Sequence, residues 1–257
     1  LREGAHHSGN WGGLLANPGT SLANAIASMV DARGRILVEA LRPPPIPDAV
    51  RAALADLKVG GGPSDPAIDR DWGEPGLTPE ERVFGWNALE VLAFGCGDPD
   101  APLNAVPARA RATLQLRFVV GTQPEAVAPA VRAHLDRLGF AAVKIATNRM
   151  DAFPATRLDP DDPWVGWALA SLARTTGKAP ALLPNLGGSI PNDAFSEILG
   201  LPTLWIPHSY PACSQHAPDE HLLAPLAEEG LRMMTGLFWD LAEQGAPSGR
   251  SSRTPAR

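Results

Sequence analysis

The 257-residue chain carries 22 basic and 28 acidic side chains, a formal charge of −6. That balance excludes the basic footprint of a nucleic-acid binder, and the absence of any run of about 18 apolar residues excludes a membrane-spanning helix. Two cysteines, Cys96 and Cys213, are too few for a zinc knuckle or a secreted disulfide scaffold, so a reduced, cytoplasmic setting is expected.

The amino end is glycine-rich, and Leu1-Arg2-Glu3-Gly4 has no apolar stretch behind it that would read as a signal peptide. Asn17-Pro18-Gly19-Thr20 starts a helix that carries Leu22, Ile26, Met29 and Val30 at helical spacing and ends by Gly34. Ile36, Leu37 and Val38 read as a short strand. The proline-rich stretch from Arg42 to Asp48 is extended loop, and a helix follows from about Pro47 to Leu57. Residues 59–77 form a long irregular connection. Thr78-Pro79-Glu80-Glu81 then opens a helix expected to run to about Leu92.

Period-two alternation marks a strand over 109–120. Ala110, Ala112, Leu114, Leu116, Phe118 and Val120 fall on one face, and Arg109, Arg111, Thr113, Gln115 and Arg117 on the other. A helix from Pro124 to Leu138 and a strand over Phe140–Ala146 complete a small α/β sandwich with helices on one face of a sheet. A boundary is expected within residues 148–162. Beyond it come a helix from Trp164 to Thr175, a turn at Leu186–Pro191, and a short helix capped by Asn192 or Asp193. A buried strand over Pro202–Pro207 and an amphipathic helix over Leu222–Glu243 follow, the latter with Leu226, Met234, Leu237, Phe238 and Leu241 inward. Residues 246–257 read as a polar tail.

Candidate chemistry lies in the loops. His216 stands between a strand and a helix, where α/β proteins place ligands, and a neutral imidazole there suits metal binding or acid–base work as well as a plain surface role. His7 is flanked by glycines that let a backbone approach closely, or that simply shape a bulge. Gly187-Gly188-Ser189 precedes a helix, so its amides could hold a carboxylate; the sequence does not fit a nucleophile elbow, which disfavours Ser189 as an acylated nucleophile. Arg117 could grip a carboxylate bidentately, and the Asn104 amide could touch substrate. His134 is expected on a half-exposed helix face, and His208 and His221 have no evident partner.

In order, these pieces resemble the M20 metallopeptidases, in particular their carnosinase-like dipeptidase branch. Residues 7–18 (His-Ser-Gly-Asn-Trp-Gly-Gly-Leu-Leu-Ala-Asn-Pro) resemble the opening of that family's lid. The Asn104-Ala-Val-Pro107 segment leading into a strand through Leu116-Arg117-Phe118-Val119 resembles a second motif. Gly187-Gly188-Ser189-Ile190-Pro191 resembles a third, and His216-Ala-Pro-Asp-Glu220 the family's last metal-ligand motif. The resemblance implies a ferredoxin-like α/β-sandwich lid that dimerises, over 1–150. The carboxyl-terminal segment of a zinc-exopeptidase α/β domain would follow over 151–245. It implies two metal ions, zinc or sometimes manganese, that activate a water and polarise an amide carbonyl.

By that match His216 is a metal ligand, while Arg117, Gly188 and Ser189, with Asn104 assisting, bind substrate. His7 reaches into the partner subunit's site to stabilise the oxyanion. The substrate implied is a dipeptide, or a small amide with a free carboxylate such as an N-acyl amino acid, and the expected assembly is a homodimer through the lid. The family's other metal ligands and its glutamate base have no counterpart before His7, and one histidine cannot form a dinuclear site. The chain is therefore expected to be the carboxyl-terminal part of such an enzyme, inactive alone. Two alternatives from other classes are a non-catalytic dimerisation module and, more remotely, a serine hydrolase using Ser189 and His216. Met150–Thr156 lacks the substrate-contacting histidine of carnosinase-like members, which points to a different substrate preference.

Overall fold

The structure is a computed structural model, describing residues 3–62, 65–147, 153–188, 190–210, 213–214 and 217–248. The chain divides into two compact units. The first comprises 1–46, 58–155 and 187–189; the second comprises 47–57, 156–186 and 190–257.

In the first unit, β1 (His6–His7) runs straight into α1 (Ser8–Trp11), and α2 spans Pro18–Ala27. The start of α2 is set locally. Asn17 caps it by accepting from the amides of Gly19 at 2.9 Å and Thr20 at 3.3 Å, and Pro18 occupies a first-turn position that needs no N–H donor. The expected strand at 36–38 is reduced to a single bridge between Val30 and Ile36. Asp31 turns the chain there by accepting from the Arg33 and Arg35 amides at 2.8 and 2.9 Å, and these two backbone bonds hold its carboxyl below the usual carboxylate range. A 3₁₀ turn at Glu39–Leu41 then carries the chain away before a ladder can extend.

In the second unit's share of the loop, α3 covers Asp48–Ala55 as expected, while in the first unit α4 covers only Pro79–Phe84. The expectation of a helix to Leu92 is corrected. Thr78 and Glu81 close a capping box at its start, but Gly85 ends it after six residues, and Ala88–Cys96 is strand β2. The apolar residues Val83, Trp86 and Leu89 stand at helical spacing, and pairing with a distant strand overrides it. That partner is β4, Ala110–Arg117, which follows the two-residue β3, Ala105–Val106.

The β2–β4 ladder is antiparallel, pairing Ala88 with Arg117 and Cys96 with Ala110, with a bulge between Val91 and Ala93. Leu89, Val91 and Phe94 stand opposite Leu116, Leu114 and Ala112, so the apolar face of β4 read from the sequence is kept. Arg111, Thr113, Gln115 and Arg117 share the other face. Against the apolar face pack α2 and α5 (Pro124–Arg137), closing a core around Ala25, Met29, Ile36, Leu41, Leu89 and Leu135. This is the mixed α/β arrangement expected, helices on one side of a sheet, with two two-stranded sheets among the described residues.

The expected strand over 140–146 does not form. Phe140 and Val143 are folded into turns, and Arg132 of α5 donates to both of their carbonyls, which removes them from any ladder.

Asn87, 4 % exposed, ties these parts together. Its amide nitrogen donates to the Leu41 carbonyl and the Thr122 hydroxyl, both at 2.8 Å, and its oxygen accepts from the Val119 amide at 2.9 Å. Asn87→Ala would orphan buried backbone groups on both sides of the core, at about 1–3 kcal/mol per group. Urea unfolding is expected to show a loss of about 3 kcal/mol or more.

In the second unit, α6 (Pro163–Thr176), capped by Asp162, packs along α7 (Ala224–Gln244). Gly236 permits the close approach: a Cβ there would lie 2.1 Å from the Thr175 hydroxyl oxygen. Leu237 is buried as expected, but Phe238 is 69 % exposed, so the inward face of α7 is narrower than its periodicity implies. Residues 202–207 form no strand, and the short helix is a single π-helical turn at Ala194–Ile198 without a side-chain cap. Residues 249–257 of the expected tail lie outside the described residues.

The buried Ser171 hydroxyl and then the Arg174 guanidinium, 2.7 Å away, hold the Asp240 carboxyl below its ordinary value. Its folded form ionises at lower pH than its unfolded form. The contribution is therefore complete above the unfolded carboxylate value and disappears as pH falls through the folded one. Asp240→Asn is expected to flatten the decline of thermal stability below about pH 4, read from melting temperature against pH.

Candidate functional site

Two of the residues singled out from the sequence, 97 positions apart, meet at one edge of the first unit. β1 pairs antiparallel with β3, setting His6 opposite Val106 and His7 opposite Ala105. The next residue locks the junction, because both the amide and the hydroxyl of Ser8 donate to the Asn104 carbonyl at 3.0 Å. His7 stands exposed where β1 turns into α1, its backbone at φ −50° and ψ 121°. Below it, the His6 imidazole meets the Trp11 ring edge-on at 6.4 Å. The Ser8–Asn104 clamp and the paired strands thus hold the His7 backbone next to that of Asn104 and Ala105.

A second group forms around Arg117, the last residue of β4. Its guanidinium donates to the Gly187 carbonyl at 3.1 Å, joining the polar face of the ladder to the glycine turn 70 positions later. Guanidinium has five N–H donors, so this bond leaves donors for a carboxylate. Gly187 and Gly188 are exposed, and a Cβ at either would meet nothing within 4 Å. Ser189 and His216 lie outside the described residues.

The two groups stand apart. Ala110 and Cys96 close one end of the ladder, the end at which Pro107 lies 3.8 Å from the Cβ position of Gly97. Arg117 and Ala88 close the other end. Eight strand residues span about 23 Å, whereas a dipeptide is about 7 Å long. The length of β4 thus separates Arg117 from the end of the ladder nearest the β1–β3 pair.

No group of three or more His, Cys, Asp and Glu side chains among the described residues could hold a metal ion. Sequence reasoning passed over the one His-x-Asp triplet of the chain, His134-Leu135-Asp136, and the structure assigns it to packing. His134 is 9 % exposed, not half-exposed, and its Nε2 lies 3.0 Å from the Ser28 carbonyl, while Asp136 pairs with Arg132 at 2.7 Å. His221, for which no partner was evident, shares a hydrogen bond with the Tyr210 hydroxyl, and its Nδ1 lies 2.8 Å from the Asp219 carbonyl. Only spatial neighbours 11 and 106 residues away reveal these two histidines' roles. Cys96 and Cys213 are both free thiols.

The model of the peptidase dimerisation domain of M20 enzymes matches residues 2–142, more than half of the chain. The chain belongs to the M20 peptidase family. Solved structures similar to this M20 chain include the M20 family metallo-carboxypeptidase Sso-CP2 of Sulfolobus solfataricus, at 21 % identity and a TM-score of 0.72, covering 92 % of this chain and 55 % of that one. The di-peptidase Dug1p of Saccharomyces cerevisiae aligns at 20 % identity and 0.68, covering 94 % and 52 %. Human carnosine dipeptidase 1 aligns at 20 % and 0.63, covering 95 % and 53 %. At these identities the likeness is one of fold, and the chain spans about half the length of each of the three. No curated protein matches the chain significantly. No helix among the described residues is long and apolar enough to cross a membrane.

The Arg117–Gly187 bond makes a direct prediction. Arg117→Ala is expected to free the glycine turn, so that limited proteolysis cuts near Leu186–Gly187 faster than in the unaltered chain, with the melting temperature of the first unit little changed. Equal cleavage rates would show that the bond does not hold the turn.

Proposed function

We propose that this M20 chain is the lid and carboxyl-terminal catalytic segment of a metal-dependent hydrolase. Its substrate is a dipeptide or a related small amide with a free carboxylate. The observation that carries this reading is the Arg117 guanidinium bound to the Gly187 carbonyl, which sets spare cationic donors beside a glycine turn with open space around it. In it Arg117, Gly188 and Ser189 hold the substrate carboxylate. His7, with Asn104, donates to the oxyanion that develops on the scissile carbonyl. His216 contributes one metal ligand. The described residues do not by themselves make a metal centre, so the reading takes zinc (or manganese) to be bound mainly by polypeptide beyond these 257 residues. The free thiols suit a reducing, cytoplasmic setting.

The placement of Arg117 at one end of the β2–β4 ladder, with the His7 group beyond the other, supports a shared site, in which His7 of one protomer serves the Arg117 of its partner. The apolar Val91, Leu92 and Phe94 of β2 are exposed, and a dimerisation domain is expected to cover such an edge with a second copy. A second reading, a dimerisation module without catalysis, rests on the same surface and describes these 257 residues on their own. In light scattering the chain is then a dimer without stoichiometric zinc.

The test is amino-acid release from a panel of dipeptides and N-acyl amino acids by the longer polypeptide that contains this chain, with and without a chelator. Inactivity across the panel with metal present would defeat the reading, and turnover of acyl amino acids alone would move it to the deacylases. In an active enzyme, His7→Gln is expected to lower kcat about 10²- to 10³-fold with KM little changed. Arg117→Ala is expected chiefly to raise KM. At substrate well below KM, where both variants are nearly inactive, mixing them is expected to restore about a quarter of the unaltered activity, since half of random dimers carry one intact site. No restoration would place His7 and Arg117 in one protomer's site.

A further inference from the structure

We infer that Gly9 is a positioning residue for the His7 imidazole, an inference that rests on the role given to His7 above. The His7 side chain folds back along the first turn of α1, and a Cβ built on Gly9 would lie 2.8 Å from His7 Cε1 and 3.1 Å from Nδ1. Carbon atoms do not approach so closely, so a side chain at position 9 obliges the ring to shift. The backbone on either side is held. His7 is paired with Ala105, and Ser8 donates twice to the Asn104 carbonyl, so the displacement falls on the side-chain torsions of His7 and not on the chain. Among the described residues no hydrogen bond anchors the His7 ring. Its orientation is set by the space it occupies, and the missing Cβ of Gly9 is what leaves that space open.

Gly9 differs in this from the next glycine of the motif. At Gly12 a Cβ would lie 2.6 Å from the Ser8 carbonyl oxygen, a backbone atom that cannot move aside. Gly12 therefore serves the turn and Gly9 serves the ring. Gly9 also lies within α1, where glycine is a poor choice for stability and alanine a better one. A glycine kept where it weakens the helix and clears an imidazole is consistent with a task for that imidazole's direction.

The experiment compares Gly9→Ala, Gly12→Ala and His7→Gln. On this chain, the imidazole carbon–proton signals of His7, assigned by their loss in His7→Gln, are followed with the melting temperature. Gly9→Ala is expected to shift the His7 signals and leave the melting temperature unchanged or higher, whereas Gly12→Ala lowers it. In the longer, active polypeptide, Gly9→Ala is expected to lower kcat about 10- to 100-fold with KM within about twofold, as misplacement of a catalytic group does. Unmoved His7 signals, or a Gly9→Ala chain that no longer folds, overturn the inference. Shifted signals together with full activity of His7→Gln overturn the role of His7 itself, so the two failures are told apart.

Discussion

Hydrogen bonding between β2 and β4 fixes the separation along which the first unit is arranged. The ladder is paired from Ala88 with Arg117 to Cys96 with Ala110, and α2 and α5 close one face of it. A backed, paired strand does not shorten, so whatever its two ends carry stays apart by the strand's length. One end carries Arg117, bound to the Gly187 carbonyl, and the other leads to the β1–β3 pair with His7. In the proposed function this separation is bridged by a second copy of the lid, across a two-fold axis. Dimerisation and catalysis would then be one property of the fold.

Local chemistry was the part of this fold legible in the sequence. Asn17-Pro18, Thr78-Pro79 and Asp162-Pro163 each open a helix where their caps and prolines require, and the alternation through 110–117 gives a strand with the expected faces. What escaped was decided at a distance. β2 is a strand because β4 pairs with it, although the spacing of Val83, Trp86 and Leu89 suits a helix. Residues 140–146 lose their strand to Arg132, whose bonds to two carbonyls no periodicity encodes. His134 is buried against Ser28, 106 positions earlier, so its helix face could not be judged from its own helix.

The candidate site divides in the same way. The resemblance assigned roles to His7, Asn104, Arg117, Gly188 and Ser189, and the structure sets the His7–Ser8 backbone against Asn104–Ala105 and bonds Arg117 to the Gly187 carbonyl. The distance between the two pairs was not readable, because it depends on the register of β2 with β4. The short segment from His7 to Gly13 carries two glycines with different tasks, one clearing a ring and one clearing a carbonyl, and the letters alone do not separate them.

The contact between Gly236 and Thr175 has a consequence for how this protein can change over time. The two positions share a space that holds one hydroxyl and no further carbon. Position 236 can gain a side chain without a clash only after position 175 has shrunk to glycine, while the opposite order passes through a clash. Substitution at this helix crossing is therefore a one-way gate: a drifting lineage would accept the pair in one sequence of steps and reject it in the other.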